Sequence, residues 1–299
     1  LRVWARYLML VVWPARLSAD YSEQAFPVST TVFDPHALAA GAVLVALAVL
    51  ARWRWRRGGL AGFGAAWWAL TLLPVSHLVP YRELMAEHYL YIPMIGMACV
   101  VAGAIDAASR RAPAAVAPAR QLALAAVVLL ALAAAVRTVA RNRDWRDPLT
   151  LWSATVATVP TCARARFNLG QAYFERVRFD DAEREWRAAA TITPDDVDVL
   201  LALAALAYRQ GRIEEAEHWI ATALARKPDD GRVQNLAGWI ALDGGDAPRA
   251  LSRFDAALAR LADPTAGSGR QKRERTALEG ARTGRERAVA ALARAGAVP

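Results

Sequence analysis

The chain has 299 residues, 56% of them hydrophobic, with 37 basic and 28 acidic side chains and a formal charge of +9; at this length and a mean hydropathy of +0.17 it is too apolar for a single ordinary soluble domain. Only Lys227 and Lys272 are lysines, so nearly all the positive charge is arginine, and with abundant alanine this points to a GC-rich, bacterial genome. Nucleic acid is excluded as the partner of this charge, because the arginines gather beside apolar segments and on repeat helices without a nucleic-acid-binding signature.

Long uninterrupted apolar runs fill residues 1–140, whereas charged and apolar positions alternate over 141–299, so a boundary is predicted near Arg141. A membrane-spanning helix needs about 20 apolar residues. Four segments approach that length, at about 37–51, 60–76, 89–105 and 121–137, with a partial helix at 1–13. One such segment alone reads equally as a buried core helix; four in tandem without polar faces predict a bundle in lipid. Leu1 is not an initiator methionine and no charged leader precedes the first apolar run, so the chain reads as N-terminally truncated.

Orientation follows from the arginines of the short loops. Arg52, Arg54, Arg56 and Arg57 follow the first span, and Arg110, Arg111 and Arg120 follow the third, whereas the other two loops carry only Arg16 and Arg82. The arginine-rich loops are therefore predicted to be cytoplasmic, and residues 141–299 exoplasmic. Arg137, Arg141, Arg143 and Arg146 argue the other way, although charges leading into a long domain weigh less. The expected setting is the bacterial inner membrane, with the C-terminal half periplasmic and the lipid bilayer as a partner.

The most unusual polar segment lies between the second and third spans. Pro74 and Pro80 break the helix as it leaves the membrane, and Arg82, Glu83, Glu87 and His88 cluster on the turn that follows. A guanidinium, a carboxylate and an imidazole at a membrane surface can bind a phosphate-bearing headgroup and manage a proton. Equally, Arg82 can snorkel to the interface and His88 can be an ordinary interfacial residue. On the residues alone both readings stay open.

Beyond a connector at 141–162, small and large residues recur every 34 positions: Gly170, Ala204 and Gly238; Ala182, Ala216 and Ala250; Trp186, Ile220 and Phe254; Ala189, Ala223 and Ala257. Pro194 and Pro228 close the first two units, and Gly211 and Gly245 fall at the turn between helices, where the first unit has Val177. This pattern, seen in NLGQAYFERVRFDDAEREWRAAATITP, resembles the tetratricopeptide (TPR) signature. Three repeats are predicted over 163–263, with a C-terminal capping helix and tail over 264–299. The predicted fold class is all-α, a multi-pass transmembrane helical bundle followed by a TPR α-solenoid. By resemblance to that family, Arg164, Phe167, Gln171, Tyr208, Arg209, Asn235 and Trp239 fall on groove-facing positions, which implies capture of an extended polypeptide. The bland alternative is that they solvate the concave face.

Three blocks carry a wider resemblance: LMLVVWPARLSADYS at 8–22, MAEHYLYIP at 85–93, and RNRDWRDPLTLWSATVATVPTCARARFNLG at 141–170. Together they resemble the transmembrane and TPR-containing O-mannosyltransferases, whose membrane region has the GT-C type of fold. The resemblance implies sugar transfer from a polyprenyl-phosphate donor to a protein hydroxyl on the exoplasmic face. It also implies that the catalytic carboxylate lies in a first exoplasmic loop that this sequence does not include, so the catalytic residues stay unknown; Asp20, Glu23 and Glu87 do not sit on that position. Arg82 and His88 are the residues it suggests for the lipid phosphate, with Glu87 orienting them. The competing expectation is a membrane-anchored TPR scaffold with no chemistry of its own.

Nothing else in the sequence marks a reaction centre. His36, His77, His88 and His218 are scattered, and Cys99 and Cys162 lie in unrelated segments, so no metal site, cofactor or disulfide is predicted.

Overall fold

The computed structural model describes residues 2–12, 14, 17–21, 31, 33–56, 59–75, 85–111, 117–261 and 268–295. Among these the chain is all-helical, with no strand. It divides into two compact units, Leu1–Ala165 and Arg166–Pro299.

The first unit contains α1 (Arg2–Val12), α2 (Pro35–Arg56), α3 (Leu60–Leu72), α4 (Tyr91–Arg111), α5 (Ala117–Asn142) and α6 (Pro148–Thr158). Three stretches are long and apolar enough to cross a membrane by length and composition: Pro35–Trp53, Glu87–Ala107 and Leu124–Asn142. The apolar helix over Leu60–Val75 is shorter, and Pro74 lies in the 3-10 turn that ends it. Large apolar side chains on these helices face outward; Val45 and Leu130, for example, are 63% and 70% exposed. Water penalises such a surface, whereas hydrocarbon does not.

Local chemistry sets the helix starts. Pro35 begins α2 with its φ already helical, and the Asp34 carboxylate accepts from the backbone N–H of His36 at 2.7 Å and of Ala37 at 3.3 Å. Likewise Asp147 caps α6 before Pro148, accepting from Leu149 N at 3.0 Å and Thr150 N at 3.2 Å. Helices α3 and α4 meet backbone to backbone. A β-carbon built at Gly64 would stand 2.3 Å from the Gly96 carbonyl oxygen, so only glycine allows this approach. Tyr7, Leu10, Trp68, Leu72 and Met85 form the small buried core at one end of the helices.

The sequence boundary falls within α7 (Ala163–Phe174), and the second unit continues with α8 (Phe179–Ile192), α9 (Val197–Arg209), α10 (Ile213–Arg226), α11 (Gly231–Asp243), α12 (Ala247–Leu261) and α13 (Ser268–Arg294). The 34-residue columns become contacts within helix pairs. Gly238 faces the ring of Phe254, and Gly170 faces the indole of Trp186. The alanines of the second helices, Ala182, Ala189, Ala216, Ala223, Ala250 and Ala257, have no exposed surface. Asp196 and Asp230 cap the first helices of the later pairs, accepting from Asp198 N and Arg232 N. At the end of the array, α13 packs on α11 and α12 through Ala281, Gly284 and Ala288 and closes the last hydrophobic cluster.

Candidate functional site

The first unit gathers polar side chains around the segment that follows α1. Glu87, in the 3-10 turn before α4, accepts through Oε1 from the Ser18 backbone N–H at 2.7 Å and from the Tyr21 hydroxyl at 2.9 Å. Ser18 folds back on its own segment, its hydroxyl donating to the Asp20 carbonyl at 2.7 Å. Burial raises the Tyr21 pKa, and the Glu87 charge and hydrogen bond raise it further. The phenol therefore keeps its proton and serves Glu87 as a donor.

Asp20 is the most buried carboxylate of this group, with its side chain 1% exposed. The Arg164 guanidinium grips it in a fork, Nη2 donating to Oδ1 at 2.7 Å and Nε donating to Oδ2. Asp20 and Arg164 are 144 positions apart, and no local spacing announces their pairing.

One face of α5 completes the cluster. Arg137 and Arg141 stand four positions apart on one side of α5, and Asp144 follows in the turn just after the helix. Arg137 Nε donates to the Pro14 carbonyl at 2.7 Å. Arg141 Nη1 donates to Asp144 Oδ2 at 2.9 Å, while its Nη2 stands 4.0 Å from Glu87 Oε1. Nε and Nη2 of Arg141 are buried and have no hydrogen-bond acceptor among the described residues. Arg137, Arg141, Asp144, Leu17, Ala157 and Thr158 line a cavity of about 620 Å³. A larger apolar groove of about 1120 Å³ runs along α3, lined by Trp4, Leu8, Leu44, Ala65, Trp68 and Met97 among others.

Of the predicted headgroup residues, Glu87 thus stands in the polar cluster. His88 is exposed, its ring edge-on to Tyr89 at 4.4 Å, and Arg82 lies outside the described residues, as does Glu23. Among the described residues no group of His, Cys, Asp and Glu can hold a metal ion. The arginines of α5 are absent from the sequence-based site, where they count only as topology charges, although their spacing on one helix face was a usable signal.

Most of the predicted groove residues of the repeats make contacts within the protein itself. Phe167 packs in the core beside Trp186, and its carbonyl accepts from the indole N–H at 3.0 Å. Gln171 is half-buried on α7. The Tyr208 hydroxyl donates to Asp243 at 2.5 Å; burial raises its pKa, and the hydrogen bond and charge of Asp243 raise it further. The Arg209 guanidinium lies over the rings of Phe174 and Phe179, at 5.7 and 5.1 Å. Asn235 and Trp239 face α13: a β-carbon at Gly280 would stand 3.3 Å from Asn235 Nδ2 and 3.7 Å from Trp239 Nε1, and Arg287 lies 5.4 Å over the Trp239 ring. Arg164, as described, holds Asp20.

Two stretches, residues 178–240 and 134–197, match the tetratricopeptide repeat family. The second stretch reaches upstream of α7, where the 34-residue columns continue: Trp152 stands one period before Trp186, buried Thr155 before Ala189, and Pro160 before Pro194. Along most of its length the chain is also similar to curated proteins. It is 30% identical over 135 residues to the protein O-mannosyl-transferase Tmtc2 of Drosophila melanogaster, covering 44% of this chain and 13% of the relative. Against Tmtc3 of the same species it is 29% identical over 163 residues, covering 54% and 17%. With TMTC3 of Mus musculus the identity is 24% over 213 residues, or 70% and 23%. The matched stretches thus span less than a quarter of these relatives' lengths. The chain carries tetratricopeptide repeats and is distantly related to protein O-mannosyl-transferases.

Proposed function

We propose that this chain is a membrane-anchored TPR protein acting in protein O-glycosylation, as the C-terminal portion of a GT-C-type transferase that uses a polyprenyl-phosphate sugar. The observation that carries the reading is the succession, in one chain related to O-mannosyl-transferases, of apolar helices of spanning length and a repeat array. In this reading the repeats bring an acceptor polypeptide to the membrane surface, as stacked helical repeats present extended binding faces. The apolar groove along α3 suits an isoprenoid tail. Glu87 orients the residues that meet the lipid phosphate, with Arg82 and His88 beside it in sequence. The arginine-rich loops at 52–57 and 110–120 support a topology with the repeats on the periplasmic side of a bacterial inner membrane.

Transfer is tested in membranes from cells with and without the chain, given polyprenyl-phosphate [³H]mannose. Label entering protein only when the chain is present supports the reading; equal labelling in its absence refutes it. Orientation is read separately from C-terminal fusions. Alkaline phosphatase activity is expected there, and a fusion active only in the cytoplasm overturns the topology.

A further inference from the structure

We propose that Ser18–Tyr21 is a strap that ties Glu87 to the first turn of α7, with Asp20 and Arg164 acting as positioning residues for that carboxylate. The strap grips in two directions. Toward the turn before α4, the Ser18 backbone N–H donates to Glu87 Oε1 at 2.7 Å, and the Tyr21 hydroxyl donates to the same oxygen at 2.9 Å. Toward α7, the Asp20 carboxylate lies in the Arg164 fork. Both grips belong to one closed turn, because the Ser18 hydroxyl donates to the Asp20 carbonyl at 2.7 Å and accepts from the Asp20 N–H at 3.2 Å. Ser18, Asp20 and Tyr21 are all buried, so the turn has little room to deform.

The two ends of the strap move together. With its side chain 1% exposed, Asp20 cannot leave the fork without weakening the compensation of a buried charge. A shift of the first turn of α7 therefore carries Asp20 with it, and with Asp20 the two donors on Glu87. Among the described residues the hydrogen bonds of Glu87 all end on Oε1, and its side chain is 26% exposed, so Oε2 is the oxygen that a ligand can meet. The Arg164 side chain is 55% exposed, so the α7 end of the link is reachable from solvent. A polypeptide held along α7 would thus act on the carboxylate of the membrane turn; that use rests on the proposed function, whereas the link rests on the geometry. A rival hold exists, since Tyr21 also packs with Tyr7, Leu10, Trp68 and Met85. If that packing alone placed the phenol, Arg164 would have no influence on Glu87.

The test is ¹³C NMR of the full chain in detergent micelles, labelled at tyrosine Cζ, a carbon whose signal moves upfield when its hydroxyl loses a carboxylate acceptor. Tyr21 donates to Glu87 and Tyr208 to Asp243, and Tyr21→Phe and Tyr208→Phe assign the two signals. Glu87→Gln sets the displacement expected when the carboxylate is lost. Arg164→Ala should move the Tyr21 signal upfield by at least half of that displacement, with Tyr208 unmoved. Arg164→Lys, which keeps a charge beside Asp20 without the fork, should move it less. If Arg164→Ala also moves Tyr208, that variant has disturbed more than the strap and Arg164→Lys decides: a Tyr21 shift with Tyr208 in place supports the link, and any other result overturns it. A Tyr21 signal that keeps the parent position in Arg164→Ala overturns the proposal, and leaves the apolar packing as what places the phenol. So does a Tyr21 signal that Glu87→Gln leaves unmoved. The readout uses neither sugar nor acceptor, so failure of the link and failure of sugar transfer are seen in separate experiments.

Discussion

Val177 and Gly211 hold the same turn one repeat apart, and both take the left-handed backbone, with φ of 61° and 73°. The turn closes alike each time, Arg178 N donating to Tyr173 O at 3.0 Å and Arg212 N to Ala207 O at 2.9 Å. Glycine enters this region freely, whereas a β-branched residue crowds its own carbonyl there, at a cost of about 1–2 kcal/mol. The Val177 side chain is 67% exposed, so it gains little from packing in return. Val177→Gly is expected to stabilise the second unit by about 0.5–1 kcal/mol, after the greater entropy glycine loses on folding. A thermal melt followed by circular dichroism checks this, and an unchanged or lower midpoint refutes it.

Gly170 has the opposite requirement, for absence of volume rather than for backbone freedom. A β-carbon there would stand 2.4 Å from the indole nitrogen of Trp186, which is 2% exposed and hydrogen-bonded to the Phe167 carbonyl. The ring cannot withdraw without losing that bond and its cavity. Gly170→Ala should therefore destabilise by about 1–3 kcal/mol, although alanine is the better helix former. Ala204 fills the same column in the next repeat, opposite the smaller Ile220, so alanine at Gly170 combined with Trp186→Ile should lose much less than either change alone predicts. Denaturant unfolding of the three variants measures the coupling.

These two positions show what the sequence carried and where it stopped. The 34-residue columns predict helix pairs because each column is a contact within a pair, so period translates directly into packing, as Gly170 and Trp186 confirm. Hydropathy likewise marks the outward-facing helices α2, α4 and α5, while Pro74 ends the helix over 60–75 short of spanning length. The facing of the groove residues is harder to read. Phe167 and Trp239 occupy first-helix positions from which an aromatic ring reaches the core or the capping helix as easily as solvent, and period alone does not choose between them. Nor does any local pattern join Asp20 to Arg164, because only folding brings two single residues so distant in sequence together.

That pairing makes a test of its own. Asp20 has its carboxylate almost wholly out of water, while the Arg164 side chain is 55% exposed. The pair is therefore asymmetric: losing the arginine removes a bidentate partner of a buried charge, whereas losing the carboxylate leaves an arginine that water can solvate. Arg164→Ala is expected to cost about 1–3 kcal/mol. Adding Asp20→Asn to it should recover part of the loss, since the neutral amide is cheaper to bury. A double variant no more stable than Arg164→Ala would show that the Asp20 charge is not what the fork compensates.

The helix cap of α11 ties the array to pH. Burial pushes the Asp230 pKa up, but the hydrogen bonds and charge of Arg232, with Nη2 at 2.7 Å from Oδ2, outweigh it and leave the carboxyl below its ordinary value. A folded pKa below the unfolded one, about 3.9, means the unfolded chain binds the proton first. The stability Asp230 contributes is thus complete above that unfolded value and is lost as pH falls through the folded one. Asp230→Asn keeps a side-chain acceptor for the Arg232 N–H but has nothing to protonate. It should lower the melting temperature at pH 6 and shrink the gap to the parent as the pH approaches 3. A gap that stays constant across that range would mean the Arg232 contact works through the cap alone, because only a charge that titrates can make the difference depend on pH.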